Sequence, residues 1–139
     1  MKNRIIIMLF LAVIIFNAAA CEAVTKNEGK TGDEAMVRSI SPQDAKKVLE
    51  TAANVILLDV RTAEENYEKH IPGSVLLPLA ELPKKAEVIL KDKEAQILVY
   101  CRSGNRSRTA AAMLDRLGYK NVYNLGGIIS WPYETESGK

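Results

Sequence analysis

Two stretches of the chain are apolar without any alternation: Val55-Ile56-Leu57-Leu58, and Ile97-Leu98-Val99-Tyr100 entered by Gln96. A strand with one wet face alternates apolar and polar residues. A run that does not alternate reads as buried on both faces, as in a parallel sheet. Each run ends on a residue able to do chemistry, Asp59 after the first and Cys101 after the second. Weaker strand signals lie at Val37-Arg38-Ser39-Ile40, Ser74-Val75-Leu76-Leu77 and Asn121-Val122-Tyr123-Asn124.

Helical patterns separate these strands. Ser41-Pro42-Gln43-Asp44 announces a helix, with Ser41 as N-cap, Pro42 at the first helical position and Asp44 near the positive end of the dipole. Residues 62–70 are charged and predict a short helix. Residues 79–90 predict another, interrupted or started late by Pro83. A further helix starts at Asn105, runs through Ala110, Ala111, Leu114 and Leu117, and stops at Gly118. Gly126-Gly127 is expected to turn the chain into a last short helix containing Trp131. Strands alternating with helices predict an α/β fold with a mainly parallel sheet.

The N-terminus reads as an address rather than as fold. Lys2 and Arg4 precede an apolar run from 5 to 16, followed by Asn17-Ala18-Ala19-Ala20-Cys21. That is the order of a secretory signal, and the run is short for a membrane span. Residues 1–20 are therefore expected to be a signal peptide and the site of work the cell envelope, periplasmic or extracytoplasmic. Cys21 after three alanines resembles the lipobox of bacterial lipoproteins, which makes it a candidate lipidation site. Ala18 departs from that pattern, and cleavage after Ala20 is the alternative. Residues 21–36 are polar and aperiodic and read as a flexible tether, leaving 37–139 as the folded domain. The net charge of +2 comes wholly from Lys2 and Arg4; beyond residue 20, 17 basic residues face 17 acidic ones. Neutrality argues against nucleic acid as a partner.

Ligands of open α/β sheets bind at the carboxyl ends of the strands. Cys101 stands at such an end, and a helix begins a few residues later. The intervening Arg102-Ser103-Gly104-Asn105-Arg106 can curl its backbone N–H groups inward, with Gly104 supplying the freedom for the curl. Amides, the helix N-terminus and two arginines all lower a thiol pKa from its free value of about 8.5. No separate base is then required, and the sole histidine, His70, reads as a structural hydrogen-bonder of its turn. Ser103 and Ser107 read as turn or capping residues, and Trp131 as a core anchor.

At these residues the chain resembles a single-domain rhodanese, a thiosulfate sulfurtransferase-like protein, over about 37–136. Four segments carry the resemblance in order: Leu57-Leu58-Asp59-Val60-Arg61, His70-Ile71-Pro72-Gly73-Ser74, the loop Val99 to Ser107, and Leu125-Gly126-Gly127-Ile128-Ile129-Ser130-Trp131. It implies a three-layer sandwich, with helices flanking a central, mainly parallel sheet of about five strands. It implies a catalytic Cys101 that carries a persulfide between a small anionic sulfur donor and a thiol or cyanide acceptor. Arg102, Ser103, Gly104, Asn105, Arg106 and Arg61 would bind substrate and Asp59 would organise the site. For Asp59 and Arg61 a plain salt bridge at the strand end is the competing reading. No cofactor and no metal are called for, the domain is expected to be a monomer, and a membrane enters only through the lipid anchor. Two alternatives stand beside the sulfurtransferase: a non-enzymatic sulfur-carrier or partner-binding module, and a cysteine phosphatase. Related phosphatases place one more residue between Cys and Arg than the four between Cys101 and Arg106.

Overall fold

The computed structural model describes residues 36–138. The expected signal peptide, Cys21 and the tether up to residue 35 lie outside the described residues.

The elements follow in the order β1 (Arg38–Ser39), α1 (Pro42–Thr51), β2 (Val55–Asp59), α2 (Ala63–Glu68), β3 (Val75–Leu76), α3 (Leu82–Ile89), β4 (Gln96–Cys101), α4 (Asn105–Arg116) and β5 (Asn121–Gly127). A 3-10 turn, Ile128–Ser130, closes the series. The five strands form one sheet in the order β1-β5-β4-β2-β3, and every pairing is parallel. The expected α/β sandwich is the observed fold.

The two unalternating runs became β2 and β4, neighbouring interior strands of the sheet with β4 at its centre. Successive β4 residues point to opposite sides. Ile97, Val99 and Cys101 join a core with Leu82 and Ala86 of α3 and Ala110, Ala111 and Leu114 of α4. Leu98 and Tyr100 join a second core with Ala45 of α1, Leu125, Ile128 and Trp131. Each fully buried Val, Leu or Ile side chain here contributes about 1.5–3 kcal/mol. α1 begins as its sequence announces, with the Ser41 side chain accepting a hydrogen bond from the Asp44 amide. α3 starts late, with Pro83 in its first turn, where a missing N–H costs nothing.

The chain departs from expectation after Asn124. Gly126-Gly127 does not turn; β5 continues through both glycines, pairing Tyr100 with Gly126 and Cys101 with Gly127. A register shift between Val99 and Tyr100 lets Leu125 bulge, and Gly126 absorbs it with φ +94°, a conformation that favours glycine. The helical turn that follows ends at Ser130, so Trp131 lies just beyond it and not within a helix; its amide closes the turn onto the Ile128 carbonyl at 3.1 Å. Trp131 is buried in the second core.

Candidate active site

Because the strands are parallel, β2, β4 and β5 end on the same side, delivering Asp59, Cys101 and Gly127 to one edge. The chain leaves β4 at Cys101 and enters α4 at Asn105, and Gly104, with φ +104°, turns it as the helix N-cap. That conformation aims the Gly104 N–H at the Cys101 sulfur, 3.1 Å away. The Ser107 hydroxyl lies 3.6 Å from the same sulfur. Burial pushes the thiol pKa up, since Cys101 exposes only 1% of its surface. The Ser107 amide and hydroxyl and the Gly104 and Ser103 amides pull it down further, leaving it below its ordinary value. Hydrogen bonds to the charged form outweigh desolvation here.

Ser107, buried in the first turn of α4, is held from behind. Its hydroxyl lies 2.7 Å from Asn124 Oδ1, which also accepts from the Gly126 amide at 3.0 Å. β5 thereby fixes the loop's floor. Gly127 allows the approach: a Cβ there would collide with the Arg102 carbonyl and stand 2.7 Å from Ser103 Cα. The Ile129 amide then donates to that carbonyl at 3.3 Å.

The arginines are less free than their sequence positions imply. Arg106 Nη1 and Nη2 donate to Glu65 Oε2 and Oε1, each at 2.7 Å. Arg106 holds the Glu65 carboxyl at a pKa of about 2. Glu65, and more weakly the Cys101 sulfur, keep the Arg106 guanidinium more firmly charged than usual. Arg61 is buried against Asp59, donating from its backbone N (2.9 Å), Nε (2.9 and 3.1 Å) and Nη2 (2.6 Å). Its Nη2 also reaches the Lys69 carbonyl at 2.7 Å, and Asn66 donates to Asp59 at 2.9 Å. This knot ties the end of β2 to α2. Tyr100 sits under the Arg61 guanidinium; burial, then the Asp59 charge, raise its phenol to about 12, so it stays neutral. Arg102, Ser103 and Asn105 are exposed.

His70 is buried, its Nδ1 2.9 Å from the Asn66 carbonyl. Its backbone forms an isolated bridge with Glu136. Among the described residues, no three His, Cys, Asp or Glu side chains gather as a metal set.

Sequence reasoning missed Glu65, Asn66 and Asn124, and took Ser107 for a turn or capping residue. One signal for Glu65 was available. Thr62-x-x-Glu65 is a capping box, present with both reciprocal bonds, which fixes where that carboxylate stands.

A rhodanese-like domain model matches residues 41–133. The chain belongs to the rhodanese family. A sulfurtransferase of Allochromatium vinosum is 39% identical over 97 residues, covering 69% of this chain and 89% of that protein. The thiosulfate sulfurtransferase PspE of Escherichia coli is 34% identical over 71 residues, covering 51% of this chain and 68% of its own. The structure of a rhodanese with anions from E. coli superposes with a TM-score of 0.57 at 30% identity, over 60% of this chain and 99% of that one. A thiosulfate sulfurtransferase from Pseudomonas aeruginosa gives 0.69 at 26% identity, over 77% of this chain and 21% of its own. Several relatives of this rhodanese-like domain are thus named sulfurtransferases, while one from Bacillus subtilis is named a putative sulfur carrier protein.

Proposed function

We propose that the domain moves a sulfane sulfur from a donor such as thiosulfate to a thiophilic acceptor through a persulfide on Cys101. One observation carries the reading: a nearly buried sulfur whose pKa nevertheless falls, because amides and a hydroxyl converge on it. The Cys101 thiolate attacks the outer sulfur of thiosulfate. A bond forms between the two sulfurs, the bond to the sulfonate sulfur breaks, and sulfite leaves with that electron pair. The inward amides that stabilised the thiolate then face the anionic persulfide, which suits them equally. An acceptor such as cyanide attacks the terminal sulfur, the Cys101 sulfur leaves as thiolate, and thiocyanate departs. Proton movement is needed only where the acceptor is a thiol.

Incubating the full chain with thiosulfate and cyanide tests this. Thiocyanate should form, and Cys101 should gain the mass of one sulfur atom when cyanide is omitted. Cys101→Ser should reduce both to background. Absence of product and adduct in the unmodified protein would sink the reading.

A further inference from the structure

A cleft of about 300 Å³ lies beside the loop, lined by Arg61, Lys69 and Arg102 together with Glu65 and Glu68. Its charges are more evenly matched than a basic loop implies. Asp59 neutralises Arg61. Glu65 engages both terminal nitrogens of Arg106, at the surface, with the two side chains 28% and 35% exposed. Counting the lining residues with their ion-pair partners Asp59 and Arg106, four positive charges stand against three negative. The Cys101 thiolate evens the balance. An incoming dianion meets a mouth close to neutral, and Arg106, the arginine facing the sulfur, already holds a carboxylate. Two further features concern shape. Cys101 exposes 1% of its surface, so only a slender end reaches its sulfur. Ile128 lines the cleft, and Ile129 beside it is 70% exposed, an apolar wall where an alkyl chain would lie.

We propose that Glu65 determines specificity at this site: by occupying Arg106 it denies a doubly charged oxyanion its seat, and the cleft selects alkyl persulfides, with a slender terminal sulfur and a carbon chain for Ile129, over thiosulfate. The donor class rests on the sulfurtransferase reading; the electrostatic role of Glu65 does not. The chemistry is otherwise unchanged: the Cys101 thiolate takes the terminal sulfur, and the alkyl thiolate leaves with the electron pair in place of sulfite.

The experiment compares the full chain with its Glu65→Gln variant, in which the glutamine oxygen can still accept the Thr62 amide that now donates to Glu65 Oε2 at 3.1 Å. Alkylation of Cys101 by iodoacetate and by iodoacetamide, each corrected for the thiolate fraction, reads the charge at the mouth without requiring turnover. The iodoacetate-to-iodoacetamide rate ratio should rise roughly threefold or more in Glu65→Gln and fall back in high salt. The KM for thiosulfate should drop roughly three- to tenfold, while that for hydroxyethyl persulfide moves by less than about twofold. An unchanged alkylation ratio overturns the role of Glu65, as does an equal rise of KM for both donors, the mark of a merely structural residue. In the unsubstituted chain, kcat/KM for the persulfide should exceed that for thiosulfate; the reverse overturns the donor class. Lack of thiocyanate and of a sulfur adduct with either donor would instead sink the sulfurtransferase reading, and the donor class with it, whatever the alkylation ratio.

Discussion

Cys101 shows two opposed effects on one atom: burial favours the thiol and converging hydrogen bonds favour the thiolate. Removing one of those bonds should move the balance visibly. Ser107→Ala leaves the strand and helix intact but removes the hydroxyl 3.6 Å from the sulfur. The midpoint of iodoacetamide alkylation against pH should shift upward, and the rate at neutral pH should fall several-fold. A second residue-scale prediction concerns Gly127. Alanine there pushes the Arg102 carbonyl and Ser103 away, and overpacking of this kind costs about 1–3 kcal/mol. Thiocyanate formation should fall well beyond what the loss of thermal stability accounts for. Cys101 and Gly104 were legible because the groups that bond the sulfur, the Gly104 amide and the Ser107 hydroxyl, are its neighbours in sequence. Glu65 lies 41 positions from Arg106 and Asn124 lies 17 from Ser107. No periodicity links such pairs, so the sequence showed an arginine without its carboxylate and a serine without its amide.

At the scale of elements, α2 is the least self-sufficient piece near the site. Its six residues bury no side chain, so it cannot be held by packing. Polar attachments hold it, the Glu65–Arg106 ion pair to α4 among them. The Thr62–Glu65 capping box closes its start. Asn66 reaches Asp59 at 2.9 Å. The C-terminal segment stitches its end, with Ser137 Oγ donating to the Glu68 carbonyl at 2.8 Å and the Gly138 amide to the Tyr67 carbonyl at 2.7 Å. Thr62→Ala should cost about 1 kcal/mol in urea unfolding and should weaken the grip of Glu65 on Arg106. That ion pair has a pH signature. The Glu65 pKa falls from 4.5 to about 2 on folding, so the unfolded chain binds the proton more tightly. Its contribution to stability is complete above about pH 4.5 and is lost as pH falls towards about 2. The stability difference between the protein and Glu65→Gln should shrink across that window in acid titrations, and shrink at any pH in high salt. Sequence patterns located α2 but not what keeps it in place, because capping and backbone stitching leave little apolar periodicity. The same gap produced the error at Gly126-Gly127, where two glycines read as a turn and a bulged strand was the outcome.

For the whole molecule, the sheet and its two cores were legible, since unalternating apolar runs admit few placements. Leu98 sits wholly buried in the core containing Trp131. Leu98→Ala should cost about 2–5 kcal/mol in chemical denaturation. It should leave the alkylation midpoint of Cys101 unmoved, because the loop amides hang on the other face and on β5. Strand order carries a consequence for folding in time. β1 pairs only with β5, matching Arg38 with Tyr123 and Ser39 with Asn124. As the chain emerges from the ribosome, the three strands β2, β3 and β4 can zip together early, while β1 must wait for β5. Loop closure across that span is the slow, high-contact-order event, and the same late strand brings Asn124 and Gly127 beneath the cysteine loop. A nascent chain halted before β5 therefore holds its cysteine loop without the support that Asn124 and Gly127 give it from below.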